Sequence, residues 1–302
     1  MFSRNLLCVS KYVFFLVLSV SVFSCKEQNK GGNDSPDSSG AVDQAQVANA
    51  EKVFYSMPSP IETAVLLKKA GASYDSEYLN PVENREKYAT VSSKALNMGV
   101  YGSDLSYTTI FDKTQEAMLY LACSKKLADG LGISGVFSDD VISRMEANMG
   151  NKDSLLNIIS DSYWEADAYL KENDRASVSA LLIAGGWIEG LYIATRVEES
   201  LRKSKKNELI IERIAEQKLS LENLINLLDS YKNDEILVGL SAQLKDLKVD
   251  FDKVNSAGAE TSVSESKNGV ATIGGDNTFS MSPETLNAIS SKIRKIRKSI
   301  VE

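Results

Sequence analysis

Two carboxylates and a tryptophan stand together in the segment ISDSYWEADAYL, where Asp161 and Glu165 are four residues apart with Trp164 between them. On a helix that spacing puts both acids on one face. A second segment, VSALLIAGGWIEGLYIA (178–194), is apolar on nearly every side and contains a single acid, Glu189, beside Trp187. A carboxylate in apolar surroundings is costly unless it is paired or hydrogen-bonded. If the two helices are neighbours, Asp161, Glu165 and Glu189 with Trp164, Trp187, Tyr163, Tyr169 and Tyr192 would line an aromatic, acidic pocket suited to a sugar or a cationic ligand. The plainer alternative is favoured: the aromatics are core, Asp161 and Glu165 face solvent, and Glu189 pairs with a lysine or caps a loop.

The chain of 302 residues has no histidine, which narrows the chemistry. A Ser-His-Asp or Cys-His nucleophile pair, an imidazole metal ligand and a histidine pH switch are all excluded. A di-metal carboxylate site in a helical bundle calls for Glu-x-x-His pairs, so none is expected. A glycosidase-like carboxylate pair can be drawn in any acidic chain, and this one is acidic, with a net charge of −7. No catalytic residue, cofactor or metal is assigned, and a non-enzymatic role is expected.

The residues that must position these groups read as helices. Apolar side chains recur every three or four positions, as in Leu156, Ile159, Tyr163, Ala166 and Leu170, or Ile210, Ile214, Leu221, Leu224 and Leu228 with Gln217 as a gap. Ser59-Pro60, Asn80-Pro81 and Ser282-Pro283 each place a cap residue before a proline suited to the first helical position. Gly71, Gly130 and Gly150 stand where helices should stop. Helices are predicted near 60–70, 81–99, 104–130, 138–149, 152–172, 175–202, 207–231 and 233–255. The fold class is all-α, an antiparallel helical bundle, with an irregular helical-hairpin solenoid as the rival. Gly186 and Gly190, with Gly185 alongside, leave one face of the apolar helix without side chains, so another helix or a ligand is expected to approach it. Each glycine there costs about 1 kcal/mol relative to alanine.

The amino end is of another kind. Residues 1–11 carry Arg4 and Lys11 and no acid, and residues 12–23 are a nearly unbroken apolar run ending in Val22-Phe23-Ser24-Cys25. A basic start and a short apolar stretch form the signal-peptide pattern. The terminal tetrapeptide resembles the lipobox of bacterial lipoproteins, with Phe23 in place of the usual small or aliphatic residue. The resemblance is confined to the leader. It implies cleavage before Cys25, a diacylglycerol on its sulfur, an acylated amino terminus and anchoring in a bacterial membrane. Lys26, where aspartate would favour inner-membrane retention, leans the assignment towards the outer membrane.

The expected domains are a signal peptide (1–24), a polar tether (25–56), a helical domain (57–255), a Gly/Ser-rich linker (256–281) and a separate basic amphipathic helix (282–302). After cleavage Cys123 is the one remaining unmodified cysteine, in a helical context that suits a small buried residue. Loss of Arg4 and Lys11 takes the net charge from −7 to −9. Against that background the last helix is basic: Lys292, Arg294, Lys295, Arg297 and Lys298 interrupt the seam Leu286, Ile289, Ile293, Ile296 and Ile300. It is expected to dock on the bundle, with binding to a partner helix of an envelope protein, self-association through the seam, or contact with an anionic membrane as alternatives. Nucleic acid is not an expected partner.

Overall fold

A computed structural model describes residues 60–204, 207–257, 263–265, 271–273 and 278–302. The leader 1–24, with Cys25 and the tether to residue 56, lies outside the described residues. Among those described, nine α-helices form an all-α bundle: α1 (Pro60–Ala70), α2 (Val91–Ile110), α3 (Thr114–Leu131), α4 (Asp139–Ala147), α5 (Lys152–Glu172), α6 (Ala176–Leu201), α7 (Glu208–Asp229), α8 (Glu235–Phe251) and α9 (Pro283–Val301). Between 255 and 280 four short strands pair antiparallel, β1 (Asn255–Ala257) with β4 (Thr278–Ser280) and β2 (Val263–Glu265) with β3 (Ala271–Ile273).

The apolar helix α6 is the axis of the fold. By length and hydropathy it could cross a membrane, yet 83% of its most apolar stretch is buried inside the bundle. Its closest neighbour is α2, and the reason lies in two glycines. A methyl group on Gly185 would sit 1.9 Å from the carbonyl oxygen of Leu96, and one on Gly99 would sit 2.1 Å from that of Leu182. Backbone therefore lies directly on backbone, and Ser103 Oγ pins the seam by donating to the Gly186 carbonyl at 2.9 Å. The close face is thus made by Gly185 and Gly99. Gly190 is exposed and has open space around it, so it takes no part.

These glycines also account for the largest difference from the predicted helices. The predicted helices stop at 99 and restart at 104, across the segment MGVYGSD. Instead α2 runs unbroken from Val91 to Ile110. Gly99 admits α6, and Gly102 admits the ring of Tyr163, whose Cζ lies 2.4 Å from where a Cβ would be. The chain turns only at Phe111–Lys113, with Asp112 in the left-handed region (φ 56°). Similarly, Asn80-Pro81 opens a short 3-10 turn (Val82–Glu86) rather than a long helix, and the Asn80 side chain is buried elsewhere. Gly130 lies inside α3, which ends at Gly132 (φ 71°). Two signals act as read: Ser282 caps α9, and Gly71 (φ 71°) follows α1.

The basic helix is set apart along the chain by the linker but not in space. α9 packs against α6, α8 and α2. Leu286, Ile289, Ile293 and Ile296 are all buried, and Ile300 is partly so.

Candidate functional site

Burying α9 brings Arg297 into the interior. Four residues after Ile293 and one after Ile296, it falls on the apolar face of α9. Its guanidinium clasps Glu189 of α6 in two parallel bonds, Nε to Oε2 at 2.8 Å and Nη2 to Oε1 at 2.9 Å. Nη2 also donates to the Tyr78 carbonyl at 3.3 Å, and the guanidinium lies 4.4 Å from the Tyr192 ring centroid. Glu189 has no solvent exposure, and the Arg297 side chain is 12% exposed. A bidentate, cation–π-backed arginine is the geometry that can hold a carboxylate ionised in such a place.

A second acid completes the cluster. Asp104 of α2 is fully buried and meets Glu189 carboxyl to carboxyl. Its Oδ2 accepts the Asn80 amide at 3.2 Å, while Oδ1 has no donor partner. Arg297 bonds Glu189 and acts on Asp104 through its charge alone. Burial, and next the neighbouring charge of Glu189, hold the Asp104 carboxyl well above the ordinary aspartate range, with Arg297 opposing. Burial also raises Glu189, but the Arg297 charge and its hydrogen bonds work against that rise. Of the two acids, Asp104, to which no cation is bonded, is pushed further towards its neutral form than Glu189, which Arg297 holds.

The same region secures the end of α9. A helix leaves its last carbonyls without partners. Here Asn97 Nδ2 donates to the Ile300 carbonyl at 3.0 Å, and Tyr88 OH to that of Val301 at 3.2 Å. Asn80 Nδ2 in turn donates to Tyr88 OH at 2.9 Å. Midway along α9, Lys292 meets Asp250 (2.9 Å) and Asp246 (3.1 Å), and Arg294 meets Glu199 (2.9 Å). Lys295 faces solvent.

The expected aromatic pocket is not assembled. Trp187 is core: its indole Nε1 donates to Ser220 Oγ at 2.8 Å, and Ser220 donates to Gln217 Oε1 at 2.9 Å. The gap at Gln217 in the α7 stripe therefore serves a buried tryptophan. Asp161, Glu165 and Trp164 lie on the opposite, outer face of α5, with Trp164 42% exposed. The physical reason was present in the spacing. The α5 stripe through Leu156, Ile159, Ala166 and Leu170 faces the core, so residues 161, 164 and 165 must face away. Tyr163 is wedged against Gly102 and donates to the Met98 carbonyl at 2.9 Å. Tyr169 is exposed.

The partner-contact reading of α9 is corrected in the same way. Leu286, Ile289, Ile293 and Ile296 contact this chain's own bundle, Ile300 packs at its edge, and Lys292 and Arg294 are paired within the chain. Glu189 is held by an arginine instead of the lysine or loop expected for it.

Sequence reasoning missed Asp104 and Arg297. Arg297 left a signal, a cation on the apolar face of an amphipathic helix. Asp104 left none that survived the misplaced helix break. Cys123 is fully buried, and burial pushes its thiol up, away from nucleophilic character. A cleft between α2, α3, α4 and α5, lined by Leu105, Met118, Met145, Met149, Lys113 and Lys152 among others, leaves only about 30 Å³ open to water. Among the described residues no cluster of three or more histidine, cysteine, aspartate or glutamate side chains that could hold a metal ion occurs. Compared with protein families, curated proteins and solved structures, the chain matches none.

Proposed function

We propose that this chain is an exported lipoprotein, anchored through Cys25, whose helical domain is a non-catalytic binding or scaffolding module for another envelope component. The anchor rests on the leader and its lipobox-like end. The module reading is supported by how the interior acids are used: Glu189 is committed to holding Arg297 and Asp104 is sealed in the core, which leaves recognition to the outer helix faces. The face best equipped is that of α5, where Asp161, Glu165, Glu172 and the half-exposed Trp164 share one solvent-facing side. An acidic face with an aromatic suits a partner whose contacting surface is basic. The alternative of a cationic or sugar ligand uses the same outer face, and it no longer includes Trp187 or Glu189.

The experiment is crosslinking in intact envelopes. The wild type should give an adduct that weakens with salt, and the triple variant Trp164→Ala, Asp161→Asn, Glu165→Gln should lose it while keeping its helical content. An unchanged adduct would remove α5 from the reading. Cys25→Ser should leave the precursor uncleaved or release the protein from membranes, and normal acylation of that variant would reject the anchor. Deleting residues 282–302 is not a clean test of partner binding, because it uncovers the core that α9 closes.

A further inference from the structure

The cleft between α2, α3, α4 and α5 is bordered by three methionines. Met118 comes from α3, Met145 from α4, and Met149 from the turn that follows α4. Met145 and Met149 are four residues apart, and the Met149 N–H donates to the Glu146 carbonyl at 3.4 Å. The helical rotation thus carries past the end of α4, and both side chains reach the same cleft. The stripe Val141, Met145, Met149 runs from the core to the surface: Met145 is 3% exposed and Met149 36%. Met149 therefore stands at the mouth and Met145 deeper in. Much of the remaining wall is apolar, as at Leu105, Leu121 and Ile159. Two lysines also border the cleft, but their ammonium groups are engaged. Lys152 Nζ donates to the Ile110 carbonyl at 2.6 Å and to Asp112 at 2.8 Å, and Lys113 Nζ lies 5.0 Å from the centre of the Tyr74 ring.

The open space, about 30 Å³, limits the size of an occupant. It is about a tenth of what a sugar or a drug-sized ligand fills, and suits a single ion or water. The lining decides between these. A buried water calls for two to four polar partners, whereas thioether sulfurs are weak hydrogen-bond acceptors but soft, polarizable donors to a metal. Hard cations such as Mg²⁺ and Ca²⁺ take oxygen ligands, while thioethers select soft ions such as Cu(I). The chain has no histidine to supply a harder nitrogen ligand. We propose that Met118, Met145 and Met149 form a thioether site for a soft monovalent cation, Cu(I) or Ag(I), which enters past Met149. Each sulfur would give a lone pair to the ion, with no electron transferred and no proton released. The inference does not rest on the lipoprotein assignment or on the outer face of α5.

The test is titration of the full chain with Ag(I) nitrate in chloride-free buffer, read by calorimetry and native mass spectrometry. The wild type should take up a tightly held ion that Mg²⁺, Ca²⁺ and Zn²⁺ do not displace. The triple variant Met118→Leu, Met145→Leu, Met149→Leu keeps side-chain volume, so it should fold, and its affinity should fall by about a hundredfold or more. Cys123→Ala should leave the uptake unchanged. A thioether has no proton to lose, so the affinity should not vary from mildly acidic to mildly alkaline pH; silver on a cysteine would bind more tightly as pH rises. If the triple variant does not fold, methyl-labelled methionine spectra of the wild type carry the test. The methyl signals of Met118, Met145 and Met149 should shift together on adding one equivalent of Ag(I), and that of the buried Met98 should stay. The proposal is overturned if the folded triple variant binds like the wild type, if Cys123→Ala abolishes uptake, or if the three methyl signals do not respond.

Discussion

Helix α6 holds two neighbours in two different ways. Against α2 it offers an absence, since Gly185 and Gly99 remove side chains so that backbones touch. Against α9 it offers a charge, Glu189, clasped by Arg297 and bordered by Asp104. The first contact is backbone on backbone at Gly185 and Gly99 and tolerates no added atom there, although Asp104 and Glu189 meet across the same two helices. The second tolerates rearrangement, but its strength depends on the ionic state of three side chains. One core helix thus combines a fixed seam with an adjustable one.

The contrast can be broken from either side. The largest effect is expected from Arg297→Met, which leaves two buried acids without a cation and should cost about 3–5 kcal/mol at neutral pH by denaturant titration. The variant should recover stability as pH falls into the carboxylate range, because both acids can then be neutral. A loss that does not change with pH would mean that Arg297 acts only by packing. Next comes Gly185→Ala, which drives a methyl into the Leu96 carbonyl and should cost up to about 3 kcal/mol. Its loss should be the same at every pH, which distinguishes the glycine contact from the charged one. The smallest effect is at Gly190, exposed on the same helix with open space around it. Gly190→Ala should stabilise by about 0.5–1 kcal/mol, since alanine restricts the unfolded chain and meets nothing in the folded one. A loss there would show that the open side of α6 is covered in solution.

How far the sequence could be read differed by region, for identifiable reasons. Helices α1, α5 and α6 fall within a residue or so of their expected bounds, because periodic apolar positions and cap residues are local signals. The stretch 81–110 was misread because a glycine is ambiguous: it can end a helix, as Gly132 does, or let another helix in, as Gly99 does. The two tryptophans show the same limit. The stripe on α5 was enough to turn Trp164 outward. Nothing along the chain linked Trp187 to Ser220 and Gln217, 33 and 30 residues further on.

The sequence alone determined that the domain is helical, that α6 belongs at its centre, and that α9 is amphipathic. Each follows from side-chain spacing against a fixed helical period. It also supplied Glu189 as an acid that burial would force into a pairing. Only the tertiary structure decided the partner. Arg297 is 108 residues away and Asp104 is 85 residues away in the other direction. They converge because a glycine seam sets α2 against α6 and an isoleucine face draws α9 down beside them. The charges did not bring these helices together. Apolar burial and close packing did, and the charges then had to be balanced where they met.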